Sequence, residues 1–163
     1  MAFRRSNQSI ARVPSLAPAG AGGTVTVVGE YTVTAATANT DVIEMCALPA
    51  GTVVSRVTLA TDDIDTANTV TANVGIMTGS YLNEFNDDGT TARTCGAEFL
   101  SADTTARAGG VVVSAVRAGH MLAPSLSDRS IGIVITAAMT AIPGAKMRLY
   151  VECVPVPNGI AFA

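Results

Sequence analysis

The sequence predicts an all-β fold, an antiparallel β-sandwich of jelly-roll type, and three observations carry that expectation. Apolar and polar residues alternate with period two in segment after segment between residues 24 and 154. Gly, Pro, Asn and Asp punctuate these segments at short spacing, giving about seven or eight strands. No stretch carries the i, i+3, i+4 pattern of an amphipathic helix.

Taken in order, "TVTVVGEYTV" (24–33) is rich in Val, Thr and Tyr, residues that fit a pleated, half-buried surface. "TAATANT" supplies a turn, and "DVIEMCAL" then places Ile43, Met45 and Ala47 on one face. "PAG" (Pro49–Gly51) is a tight turn, because proline presets φ and glycine tolerates positive φ. "TVVSRVTLA" follows, with Val53, Val57 and Leu59 expected on one face and Val54, Arg56 and Thr58 on the other. "NTVTANVGIM" alternates strictly, with Val70, Ala72, Val74 and Ile76 on one side. The pattern resumes in "GVVVSAV", in "SIGIVIT" with Ile131, Ile133 and Ile135 together, and in "AKMRLYVECV". That last strand turns Met147, Leu149, Val151 and Cys153 inward and Lys146, Arg148, Tyr150 and Glu152 outward.

Three segments stand outside this rhythm. Residues 1–23 read as an extended arm, because Pro14, Pro18 and Gly20–Gly23 disfavour helix and strand alike. The arm nevertheless carries Phe3, Ile10, Val13 and Leu16 as isolated anchors with Arg4, Arg5 and Arg12 between them. It is expected to order on a partner's surface, the competing reading being a frayed terminus. Residues 78–109 form a long polar loop or insertion with Tyr81, Phe85 and Phe99 as its candidate contacts, and "DDG" (Asp87–Gly89) can close a hairpin inside it. Residues 155–163 leave the sandwich as an extended apolar tail, since prolines spaced by one residue do not continue a central strand.

Composition bounds the function. The chain of 163 residues is one domain's length, and it is 48% hydrophobic but only 14% charged, against roughly 25% in ordinary soluble domains. So few charges leave Thr, Ser, Ala and Gly to cover the surface, or demand burial against other chains, which favours an assembly subunit. Lys146 is the sole lysine, and the Arg excess fits protein–protein contact. A net charge of −3 with no basic run beyond Arg4–Arg5 gives no footprint for nucleic acid. No apolar run reaches the roughly 20 residues of a membrane helix, and the N-terminal stretch lacks the apolar core of a signal peptide. Cys46, Cys95 and Cys153 are odd in number and widely spaced, as expected of thiols kept reduced in a cytosol.

The chemistry-bearing residues are sparse. His120 is the only histidine and has no nucleophile at a defined spacing. The best candidate is the acidic cluster Asp62, Asp63 and Asp65 in "LATDDIDTANT". An EF-hand loop counted from Asp63 places Ala67 at the fifth position, Asn68 at the sixth and Val74 at the twelfth, so its pattern fails. The cluster reads instead as a turn, because Asp and Asn side chains bond nearby backbone, with Ile64 packing back onto the sheet. No enzyme activity, metal or cofactor is expected; a β-sandwich hydrolase using these aspartates lacks a complete acid–base constellation.

"LPAGTVVSRVTLATDDIDTANTVTANVGIMTG" (Leu48–Gly79) resembles a pattern recurring in small virion structural proteins of tailed bacteriophages. Those carry an "lPaGtvv" turn and strand, an acidic "DDlD" turn, and a Thr/Val strand ending in "VGi". The resemblance implies a decoration or cement protein, made in the host cytoplasm and bound to the outer capsid surface. It implies the major capsid protein as partner and a homo-oligomer, a trimer above all, with termini that reach neighbouring subunits. The alternatives are a head fibre or receptor- or glycan-binding module using Tyr81, Phe85 and Phe99, or another head or tail component.

Overall fold

A computed structural model describes residues 2–6 and 24–156 of the chain. Nine strands are found among them: β1 (Phe3–Arg5), β2 (Val25–Thr32), β3 (Val42–Leu48), β4 (Thr52–Thr61), β5 (Ala72–Ile76), β6 (Leu100–Asp103), β7 (Gly110–Val113), β8 (Arg129–Ile135) and β9 (Lys146–Pro155). Among the described residues the helical content is one turn of 3-10 helix, Thr105–Arg107, and one short α-helix, α1 (Arg117–His120). The strands form a five-stranded sheet in the order β1-β3-β8-β5-β6 and a four-stranded sheet in the order β2-β9-β4-β7. Successive strands from β2 to β9 cross between the sheets, apart from the β5–β6 pair, and this connectivity is consistent with a jelly roll. All pairings are antiparallel except that of β1 with β3.

The core lies between the two sheets, where Ile43, Met45, Ile133, Leu59, Met147 and Leu149 are fully buried. These come from the period-2 apolar positions of their strands, and Ile131, Ile133 and Ile135 all face inward as expected. Two β-bulges shift the expected faces. One lies between Val54 and Arg56, so that Val54 joins Val57 and Leu59 inside while Val53 is half-buried at the surface. The other, between Glu44 and Cys46, accompanies a strand buried along its whole length, Val42–Leu48.

The reason β3 has no exposed face is the connection between β5 and β6. It folds back over the outer side of the five-stranded sheet, and paired glycines make room for it. Gly75 lies opposite Gly132. A Cβ on Gly75 would stand 2.3 Å from the Gly96 backbone, and one on Gly132 would stand 2.6 Å from Met77 Sδ. The insertion is also shorter than 78–109, because β6 and the 3-10 turn belong to the sandwich. At the opposite boundary β9 runs to Pro155, opposite Thr52, and Val156 N donates to Gly51 O at 2.8 Å.

Candidate functional site

The first strand corrects the expectation of an arm beginning at residue 1. Phe3, Arg4 and Arg5 pair in parallel with Val42, Ile43 and Glu44, adding an edge strand to the five-stranded sheet. Backbone bonds close both ends, Val42 N to Ala2 O at 2.9 Å and Ser6 N to Glu44 O at 2.7 Å. Arg4 Nε lies 2.5 Å from Asp41 Oδ2, and Arg4 also donates to Ala36 O. Asp41 further accepts from Ala2 N and Ala38 N, so one buried carboxylate ties the strand to the β2–β3 turn. These charges are spent inside the domain. Ile10, Arg12, Val13 and Leu16 lie outside the described residues.

Beneath β1 sits a buried ion pair. Arg93, from the β5–β6 connection, sets Nη1 2.6 Å from Glu44 Oε1, with both side chains fully buried. The guanidinium also donates to Thr78 O at 2.7 Å, Asn83 O at 2.9 Å and Ser130 Oγ at 2.5 Å. Arg5 Nε stands 3.8 Å from the other Glu44 oxygen. The Phe3 ring lies against the guanidinium carbons of Arg5 and Arg93, at 5.2 and 5.4 Å, within cation–π range. One network therefore fastens the N-terminal strand, the central sheet and the long connection. Glu44 and Arg93 carried no recognisable sequence signal, being separated by 49 positions.

The aromatic candidates of the connection separate. Phe99 is 0% exposed, in the core against His120, and is corrected from loop contact to core residue. Tyr81 is half-buried, and Phe85 is 43% exposed at the base of a small hairpin. That hairpin turns at Asp87–Gly89, with Asn86 N donating to Thr91 O and Gly89 at φ +73°.

The acidic cluster is a structural turn. Asp65 is fully buried, and its carboxylate accepts from the backbone N–H groups of Ala67 (3.1 Å), Thr69 (2.7 Å), Val70 (2.8 Å) and Thr140 (2.7 Å). Burial alone would raise its pKa, but those donors from Thr140, Thr69, Ala67 and Val70 outweigh it and hold the value at about 2. Asp63 accepts from Asp65 N, Asp62 accepts from Lys146 N, and Ile64 packs inward. Among the described residues no cluster of His, Cys, Asp and Glu is arranged to hold a metal ion.

Besides Phe85, large apolar side chains reach the surface in two places among the described residues. On the outer face of the four-stranded sheet the register aligns Val28, Tyr150, Thr58 and Val113 in one row, and Glu30, Arg148, Ala60 and Val111 in the next. Val111 is 69% exposed on the edge strand β7. At one end of the sandwich the β7–β8 connection exposes Met121, Leu122 and Leu126.

A chain in the structure titled "Capsid of Ralstonia phage GP4" superposes with a TM-score of 0.85 at 29% identity, covering 98% of this chain and 100% of that one. A chain in the "Cyanophage Pam1 capsid asymmetric unit" does so with a TM-score of 0.56 at 25% identity, covering 90% and 96%. The structural neighbours are phage capsid chains. No protein-family model matches the sequence, and no curated protein matches it.

The histidine and the three cysteines of the chain are packed within the fold. His120 Nε2 lies 3.1 Å from Ser114 Oγ while the ring meets Phe99 edge-on at 6.2 Å, a packing role. Burial pushes the thiols of Cys95 and Cys153 up to about 12 and about 11, and that of Cys46 further still. None of these thiols is poised as a nucleophile.

Proposed function

We propose that this protein is a structural component of a phage particle, a decoration or cement protein that binds the assembled shell and bridges its subunits. The observation carrying this reading is the end-to-end likeness to a chain of the Ralstonia phage GP4 capsid, 98% of one chain against 100% of the other. Low charge and the exposed valines Val28, Val111 and Val113 on one sheet face support it, as surface suited to burial against neighbours.

The mechanism is mechanical. A clamp bound across subunits adds interface that must break before they separate, and binding the assembled shell alone favours that state by mass action. With Phe3, Arg4 and Arg5 held by the protein's own sheet, partner contacts of the first segment fall to Ile10, Arg12, Val13 and Leu16, joined by exposed Phe85. The protomer would act on the capsid surface as a trimer, with the major capsid protein as partner. The glycan-binding alternative loses Phe99 to the core.

The test is to mix purified protein with bare shells and with unassembled shell subunits. Saturable binding to shells alone is the expected result. A protein that ignores shells and closes into particles by itself would be a shell-forming subunit, and this reading would fall.

A further inference from the structure

Leu82 stands in the left-handed region of the backbone, at φ +68°, where the chain enters the small hairpin that carries exposed Phe85. A leucine is strained there, because its side chain crowds the backbone, and the conformation persists only where the surroundings hold it. Two hydrogen bonds hold Leu82. Arg5 Nη2 donates to its carbonyl oxygen at 3.0 Å, and its own N–H donates to Glu44 Oε1 at 3.4 Å. One holding group therefore comes from the N-terminal strand and the other from the central sheet.

The N-terminal strand is built to leave without breaking the domain. β1 is three residues at the sheet edge, and among the described residues it pairs with β3 alone. Glu44 has an arginine on each side, Arg5 at 3.8 Å from β1 and Arg93 at 2.6 Å from the β5–β6 connection. Departure of β1 leaves Glu44 compensated by Arg93, so no buried charge is stranded in the sheet. The same departure removes the Arg5 bond from Leu82 and the Phe3 ring from the Arg93 guanidinium. With its carbonyl released, Leu82 is free to relax to negative φ, which redirects the chain entering the hairpin.

We propose that β1 is a latch on the Phe85 hairpin: docking of Phe3–Arg5 against β3 holds Leu82 left-handed and orders residues 82–86, and undocking releases both. The strand and the hairpin are then coupled. Whatever draws β1 away from β3 loosens the surface around Phe85, and whatever grips Phe85 in its ordered position tightens the strand, as linkage requires. The inference stands apart from the virion reading and does not need it.

The experiment is amide exchange, read by NMR, on the full chain carrying Arg4→Asp. Arg4 bonds Asp41 and Ala36 O rather than Glu44 or the β5–β6 connection, so the substitution acts on β1 by setting two carboxylates against each other. Exchange should rise at Ser6 and Val42, whose N–H groups bond across β1 and β3. Asn83 and Asn86, bonded to Ser80 O and Thr91 O, should rise with them by about tenfold while the amides of β9 stay unchanged. A rise at Ser6 and Val42 alone would make strand and hairpin independent. A rise that includes β9 would make β1 integral to the domain, and continued protection of Ser6 and Val42 would make it a fixed strand. Each of these results overturns the proposal. Adding Leu82→Asn tests the strain itself, because asparagine tolerates the left-handed region. In that background Arg4→Asp should raise exchange at Asn83 and Asn86 by less than about twofold, and an undiminished rise would overturn the role given to Leu82.

Discussion

At the scale of single residues, the polar groups that matter most are those turned inward. Asp65 illustrates the sign of such a contribution. Its pKa of about 2 lies below the ordinary carboxylate value, which is about 3.9 in an unfolded chain. The stabilisation is therefore fully present above about pH 4 and is lost as pH falls towards 2. Replacing Asp65 by Ala strands the N–H groups of Ala67, Thr69, Val70 and Thr140, a loss of about 3 kcal/mol. Thermal unfolding should register it as a fall of about 10 °C in Tm at pH 7. Asp65→Asn keeps one acceptor oxygen but no charge, so its deficit should shrink as the pH approaches 2. A deficit independent of pH between 5 and 2 would mean that ionisation plays no part.

At the scale of elements, the Glu44–Arg93 pair holds the β5–β6 connection against the sheet. Removing one partner of a buried pair costs about 3–5 kcal/mol, since the other charge is left without compensation. Arg93→Ala should lose that much in chemical denaturation, with enhanced proteolysis between residues 80 and 93. Arg93→Lys should recover little, because one ammonium cannot serve Glu44, Thr78, Asn83 and Ser130 together. This element marks the boundary of what the sequence made legible. The strands were readable because burial on one face imposes period two, and the acidic turn because Asp65 bonds mostly to residues two to five positions away. Three features were not readable. The bulges at Glu44/Cys46 and Val54/Arg56 shift the period without an identifying residue. Strand β1 is only three residues, too short for alternation, and the prolines and glycines that follow it made residues 1–23 read as a single arm ordering on a partner's surface. Glu44 and Phe99 looked like an outward charge and a loop aromatic, because the segment covering each lies far along the chain or in another strand's connection.

At the scale of the whole molecule, the proposed binding to a shell requires that a free protomer and a shell-bound one differ in stability by an amount set by binding alone. Only the folded protein presents the aligned rows Val28–Tyr150–Thr58–Val113 and Glu30–Arg148–Ala60–Val111, since they exist only when β2, β9, β4 and β7 are in register. A partner that recognises the folded form stabilises it by RT ln(1 + [L]/Kd), about 2.7 kcal/mol when binding sites are at a hundred times Kd. For a domain of this size that corresponds to a rise of roughly 5–10 °C in Tm. Differential scanning calorimetry of the protein alone, of bare shells and of the mixture should therefore show the protein's transition moving up by that amount in the mixture. The shift should grow with the logarithm of shell concentration, as linkage demands. Val113→Glu places a charge in the apolar row at a surface position, where the folding cost is within about 0.5 kcal/mol. If that sheet face meets the shell, the variant keeps the Tm of the free protein and loses the shell-dependent rise. A variant that keeps the full rise would place the contact elsewhere, with exposed Phe85 or the Met121–Leu126 connection next in line.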